Sequence, residues 1–167
     1  FTRYRFINKG ILRFDSVYLA IWSDPDVGSG LDDRAGVDTT RNLAYAYNGY
    51  RTDETAGEIG AVGYVLLQGP VADAPGHVAR FRDREIADKR NLPFTAFTVY
   101  TNGTAPYVDP RLGVFSGAVM LYNNMRGRYA YGTPFIDPHS ADSTRFMFAG
   151  DPVSSSGWLD RDDLPPS

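Results

Sequence analysis

Apolar residues in this chain come in short runs, rich in β-branched and aromatic side chains and closed off by Gly, Asn, Asp or Pro. That punctuation suits strands joined by turns and leaves little room for long helices. Strands are expected at Thr2–Ile7, Ser16–Trp22, Leu43–Tyr47, Ala61–Gln68, Phe94–Thr101 and Thr144–Phe148. In Ser16–Trp22, Val17, Leu19 and Ile21 alternate with Tyr18, Ala20 and Trp22, so both faces are apolar and the strand asks to be covered on two sides. Phe94, Phe97 and Val99 do not alternate cleanly with Thr95 and Thr98, the pattern of a bulge. Strands of this kind need a second layer, so the expected fold is all-β, an antiparallel β-sandwich of jelly-roll or Ig-like type.

One segment departs from the strand pattern. Asp109-Pro110 reads as an N-cap followed by proline in the first turn, and Leu112, Phe115, Val119, Tyr122 and Met125 recur at helical spacing. A helix near 110–126 is expected, with Gly127 as its stop. Gly113 and Gly117 weaken it by roughly 1 kcal/mol each relative to Ala unless they permit close packing. Residues 23–41, 48–60, 69–93 and 132–143 hold most of the Gly, Pro and Asp, and are expected to be long loops with a functional or ion-bound role. The Asp-Pro pairs at 24, 109, 137 and 151 mark turns or helix starts.

A chain of 167 residues with 43% apolar side chains can bury one core, so 1–167 is read as a single β-rich domain rather than a disordered chain. The net charge of −3, with no clustered Lys and Arg, argues against nucleic acid as a partner. No apolar run approaches the roughly 20 residues that cross a bilayer, so membrane insertion is not expected. The absence of cysteine excludes disulfides and thiolate metal sites. Phe1 to Ile7 reads as a strand entered in its middle, and the last residues, with acids at Asp160, Asp162 and Asp163 followed by two prolines, cannot close a sheet. The chain is therefore expected to be a fragment of a larger multidomain protein, trimmed at both ends.

The strongest local feature is the segment from Trp22 to Asp38, in which Asp24, Asp26, Asp32, Asp33 and Asp38 face one cation, Arg34. Five carboxylates within fifteen residues repel one another. Interspersed glycines let the backbone fold back until several oxygens converge, and Ca²⁺ accepts six to eight of them. These five residues are the expected ligands of a bound calcium ion. The segment is no EF-hand, since Gly28 and Ala35 stand at the fifth and twelfth positions, the latter where a bidentate Glu is required. The bland alternative is a solvated turn with Asp side chains capping backbone amides.

Catalytic alternatives are thinner. His77 and His139 lie apart in loops without an H-E-x-x-H pattern, and read as surface residues. Ser116 misses the spacing of a nucleophile elbow and falls inside the expected helix. Gly28-Ser-Gly30 begins like a dinucleotide loop, but Asp33 replaces the third glycine and would repel pyrophosphate. Paired carboxylates for glycoside hydrolysis carry almost no information in a chain with 20 acids. Trp22, Trp158 and the loop tyrosines could form a stacking platform for sugars, although core packing is the ordinary place for such rings. Asn102-Gly103-Thr104 fits a glycosylation sequon, yet Asn-Gly between two β-like runs is first a tight turn.

Taken in order, Tyr4-Arg-Phe-Ile-Asn-Lys-Gly10, Asp15-Ser-Val-Tyr18, Trp22-Ser-Asp-Pro-Asp-Val-Gly28, Asp32-Asp33, Gly36-Val-Asp-Thr-Thr-Arg-Asn-Leu43 and Tyr45-Ala-Tyr-Asn-Gly49 form a set. Ala61-Val-Gly-Tyr64, Gln68-Gly-Pro70, Tyr122-Asn-Asn-Met-Arg-Gly127, Phe146-Met-Phe-Ala-Gly-Asp-Pro152 and Gly157-Trp158 continue it along nearly the whole chain. The set resembles a domain of uncharacterised function in large, multidomain secreted proteins of Bacteroidetes and related bacteria, many of which end in a type IX secretion sorting domain. The resemblance implies an extracellular or cell-surface setting, with other domains or chains of the same secreted protein as partners. It carries no catalytic residues. Relatives often place Cys where Val37 and Ala46 stand here, so packing or metal must hold the acidic loop. The function expected is a non-enzymatic, calcium-stabilised structural or attachment module, with polysaccharide binding, or less readily glycoside hydrolysis, as the alternative.

Overall fold

The computed structural model describes residues 1–28, 32–49, 60–101 and 105–160. They build an all-β arrangement of antiparallel sheets with one short helix and long connections, as the sequence leads one to expect. β1 (Asp33–Asp38), β2 (Leu43–Asn48) and β3 (Ala61–Val65) form a three-stranded sheet in that order. β4 (Val71–Phe81) and β5 (Arg84–Asn91) form a hairpin. The helix α1 (Phe115–Met125) precedes the short pair β6 (Phe135–Ile136) and β7 (Ser143–Thr144).

The β1–β2 register, Asp33 opposite Asn48 and Asp38 opposite Leu43, is set by the turn between them. Asp38 Oδ1 accepts the Thr40 and Arg41 backbone N–H groups at 2.9 and 3.0 Å and the Thr40 hydroxyl at 2.6 Å, while Oδ2 pairs with the Arg41 guanidinium. Asn42 completes the turn at φ +49°, a backbone conformation that Asn tolerates better than most residues. The core lies toward the C-terminal half, where Phe135, Met147, Phe148 and Trp158 pack with Phe97, Val99, Tyr107 and Tyr129. β1 docks on it through the Val37 N–H, which donates to the Phe148 carbonyl at 3.2 Å.

Several expectations are corrected. The segments Thr2–Ile7 and Ser16–Trp22 form no strand: residues 1–22 make no backbone–backbone hydrogen bond among the described residues, and their large apolar side chains are exposed. Alternation alone does not make a strand where no neighbouring edge supplies the ladder. The loop expected at 23–41 contains β1, and that at 69–93 is the β4–β5 hairpin. In the hairpin, Ala74 to His77 oppose the single residue Asp88 as a wide irregularity, held by the Gly76 N–H donating to Asp88 Oδ1 at 2.9 Å. Phe94–Thr101 is reduced to isolated bridges at Phe97 and Thr101, with the Val99 N–H meeting the Met147 thioether rather than a strand. Ordered pairing near the end of the chain covers Ser143–Thr144 and not the full Thr144–Phe148. The loop 48–60 lies largely outside the described residues, as does Asn102–Thr104.

The helix starts five residues later than expected. Gly113 takes φ +80°, which breaks the helical run from Pro110, and Val114 rather than Asp109 is the N-cap. Its buried face is Gly117, Met120 and Asn124, so the stripe of Leu112, Phe115 and Val119 points outward, with Phe115 85% exposed. Gly117 explains the choice of face. The Arg111 carbonyl oxygen lies 1.5 Å from where its β-carbon would be, a backbone approach that only glycine allows. Gly127, at φ +72°, ends the helix where the spacing places the stop.

Candidate functional site

The acidic segment is divided by the sheet. Asp33 and Asp38 occupy opposite ends of β1, which at about 3.3 Å per residue puts them roughly 17 Å apart, so the five carboxylates do not converge on one ion. Asp38 is committed to its turn, where the hydrogen bond from the Thr40 hydroxyl, followed by that from Arg41, holds its carboxyl well below the usual carboxylate range. Asp24 and Asp26 are exposed on the segment leading to β1.

Asp32 and Asp33 are different. The Asp32 carbonyl accepts the Gly49 N–H at 3.1 Å, anchoring it at the head of the sheet, and Asp33 Oδ2 accepts the Val27 N–H at 2.8 Å, drawing the segment 24–28 back toward β1. The remaining oxygens, Asp32 Oδ1 and Asp33 Oδ1, are sealed from solvent without a hydrogen-bond donor among the described residues. None of the ion pairs there, Arg13–Asp15, Arg41–Asp38, Arg80–Glu85 and Lys89–Asp73, reaches them. Buried carboxylate oxygens lacking a donor are costly, and a cation is one way to offset that cost. Among the described residues no three His, Asp or Glu side chains converge as a metal-binding group.

The proposed aromatic platform is also divided. Trp158 is 2% exposed and meets Phe148 edge-on at 5.4 Å between ring centres, which makes it core and removes it from any sugar-binding surface. Trp22 is 67% exposed and hydrogen-bonds with Tyr100. Burial first, and Asp109 next, raise the Tyr100 hydroxyl pKa, with Asp24 adding to the rise. His77 and His139 are both exposed, as expected of surface histidines.

Sequence reasoning missed a cleft between the β4–β5 hairpin and the segments that flank it. It has a volume of about 550 Å³, and its charged lining residues are Arg80 and Arg82. The only sequence signal was the density of Arg in 80–90, which reads equally well as a solvated loop. No protein-family model, no curated protein and no solved structure matches the chain. No helix among the described residues is long and apolar enough to cross a membrane.

Proposed function

We propose that this chain is a non-enzymatic, calcium-stabilised structural module of a secreted or cell-surface protein, attached through residues 1–22 to a neighbouring domain or chain of that protein. The observation that carries this reading is the state of residues 1–22. They bend at Asn8–Leu12, where the Gly10 N–H donates to Asn8 Oδ1 and Asn8 Nδ2 to the Leu12 carbonyl, and otherwise run without strand partners among the described residues while Phe6, Leu12, Val17 and Ile21 face outward. Few contacts tie the segment to the rest. Tyr18 meets Tyr122 edge-on at 5.5 Å, the Tyr122 hydroxyl donates to the Ser16 carbonyl at 3.3 Å, Trp22 hydrogen-bonds with Tyr100, and just past the segment Ser23 Oγ lies 2.5 Å from the Tyr64 hydroxyl.

A segment with exposed apolar side chains and no ladder hydrogen bonds among the described residues fits a sheet edge on a neighbour. Its charge suits an acidic one. Arg3, Arg5, Lys9 and Arg13 against Asp15 give it +3 in a chain totalling −3, so the remaining residues hold −6. The sealed oxygens of Asp32 and Asp33 support calcium, with Asp24 and Asp26 as further ligands on the same segment and Asp38 left to its turn. The secreted setting rests on the resemblance of the Trp22–Gly28 and Gly36–Leu43 blocks.

Amide hydrogen exchange of residues 1–22 in the isolated chain and in the parent protein tests the attachment. The reading expects fast exchange in the first and slowed exchange in the second. Equal, fast exchange in both contradicts it.

A further inference from the structure

At the end of the three-stranded sheet opposite Asp32 and Asp33, the β4–β5 hairpin and the segments 66–69 and 91–93 line an open cleft of about 550 Å³. That size is within the range of small-ligand sites. The cleft lies at Asn42 and Leu66, with the length of β1 between it and Asp32 and Asp33, so a ligand there owes nothing to an ion held by those two residues.

The cleft is built around one peptide. Asn91 Oδ1 accepts the Arg80 N–H at 2.8 Å and Asn91 Nδ2 donates to the Arg80 carbonyl at 3.0 Å, so the amide grips this residue as a paired strand would. Gln68 Nε2 donates to the same carbonyl, and Asn91 Nδ2 also reaches the Gly69 carbonyl at 3.3 Å. The Arg80 backbone is thereby fixed, and its guanidinium extends from a held base. Among the described residues it pairs with Glu85 at 3.1 Å, an exposed pair of the kind that gives little and yields to a competing anion.

Arg82 is the second cation. It occupies a turn position at φ +57°, where Gly or Asn is the unstrained choice, and its guanidinium lies 5.6 Å from the centre of the Phe81 ring. The turn of the hairpin thus sets a second guanidinium at the rim of the cleft, two residues after Arg80. No Asp or Glu lines the cleft, although the chain as a whole is acidic. Leu66 and Leu92 supply an apolar wall, and Gln68 and Asn42 add amide groups to the lining, with Asn42 Oδ1 accepting the Phe94 N–H at 2.9 Å.

We infer that this cleft binds a carboxylate-bearing sugar, a uronate residue of an acidic polysaccharide, with Arg80 and Arg82 holding the carboxylate. A bare phosphate or sulfate would use the guanidinium groups alone. A sugar ring uses the leucine wall and the amides as well, which is the mixture this cleft offers. Guanidinium and carboxylate match in a two-pronged geometry that lysine cannot reproduce.

The test is calorimetric titration of the full chain with a galacturonate oligosaccharide, the neutral galactose oligosaccharide of equal length, and inorganic sulfate. The inference expects binding of the uronate, no binding of the neutral sugar, and a loss of about tenfold or more in affinity in Arg80→Gln, the scale of one charge-assisted contact. Arg82→Asn is the second variant. Asn suits the φ +57° backbone, so this protein keeps its fold while losing the guanidinium, and its melting curve checks that. Failure of the uronate to bind overturns the inference, as does equal binding of the neutral sugar or unchanged affinity in the folded Arg82→Asn protein. Sulfate binding as tightly as the uronate also overturns it, reducing the cleft to a simple anion site.

Discussion

Tyr45 lies across Gly36 so closely that a β-carbon on Gly36 would sit 2.5 Å from the phenol ring. The two are cross-strand partners in β1 and β2, and the Tyr45 hydroxyl continues over the sheet to donate to the Gly150 carbonyl at 3.2 Å. One side chain thus covers a glycine in the sheet and ties the sheet to the loop that precedes Trp158.

That placement gives an alkaline signature. Burial first, then Tyr47, Asp151 and Asp38, push the Tyr45 pKa up from 10.0 to about 12. A raised pKa means that its contribution is full below pH 10 and is lost as pH rises through about 12. Melting curves across this window should show a fall in stability that is smaller in Tyr45→Phe, which has no hydroxyl to ionise. A Tyr45→Phe protein with the same alkaline fall would show that other groups cause it.

Gly117→Ala should lower stability by about 1–3 kcal/mol, because its methyl group must displace the Arg111 backbone carbonyl. Gly113→Asn provides the contrast. Nothing lies within 4 Å of the β-carbon position at Gly113, and Asn tolerates its φ of +80°, so urea unfolding should find this variant close to wild type. Helix propensity alone would rank the two substitutions the other way.

Trp158→Ala should cost about 3–5 kcal/mol, as large-to-small changes in a packed core do, whereas Trp22→Ala should leave the melting temperature nearly unchanged. If instead Trp22→Ala proves the more damaging of the two, residues 1–22 are packed in solution and the exposed arm is wrong.

Asp38→Ala should destabilise the sheet at neutral pH, with the loss shrinking in acid. The depressed carboxyl contributes above the ordinary Asp pKa of 3.8, and that contribution disappears as pH falls toward its lowered folded-state value. Acid melts of wild type and variant should therefore converge. Calcium should not change the difference between them, since Asp38 serves its turn.

What could be read from the sequence was what local signals encode. β2, the body of β3, the stop at Gly127 and the Asp turns follow from alternation and turn chemistry. Asp137 Oδ1 accepting the His139 N–H at 2.8 Å and Asp151 Oδ1 accepting the Val153 N–H at 2.9 Å are such turns. β1 was hidden because its ends are the carboxylates that signal a loop. The β4–β5 hairpin was hidden because a two-stranded ribbon exposed along most of its length, with Ala79 buried, needs little apolar alternation, and it carries Pro75 and Gly76 in its irregularity. Leu112, Phe115 and Val119 recur at helical spacing and yet are exposed, since spacing shows which residues share a face and not which face meets the core. The acidic segment was legible as a cluster, but only the register of β1 shows that Asp33 and Asp38 part company.

We propose that calcium stabilises the module at Asp32 and Asp33, and thermal unfolding in millimolar Ca²⁺ against excess chelator tests this. Extracellular calcium sites bind in the range of about 10⁻⁴–10⁻³ M, so free ion at ten times the dissociation constant adds about 1.4 kcal/mol. For a chain of this size that is a rise of roughly 3–6 °C in melting temperature. The rise is expected in wild type and lost in Asp32→Asn combined with Asp33→Asn, while Asp38→Asn keeps it. An identical melting temperature with calcium and with chelator would contradict it.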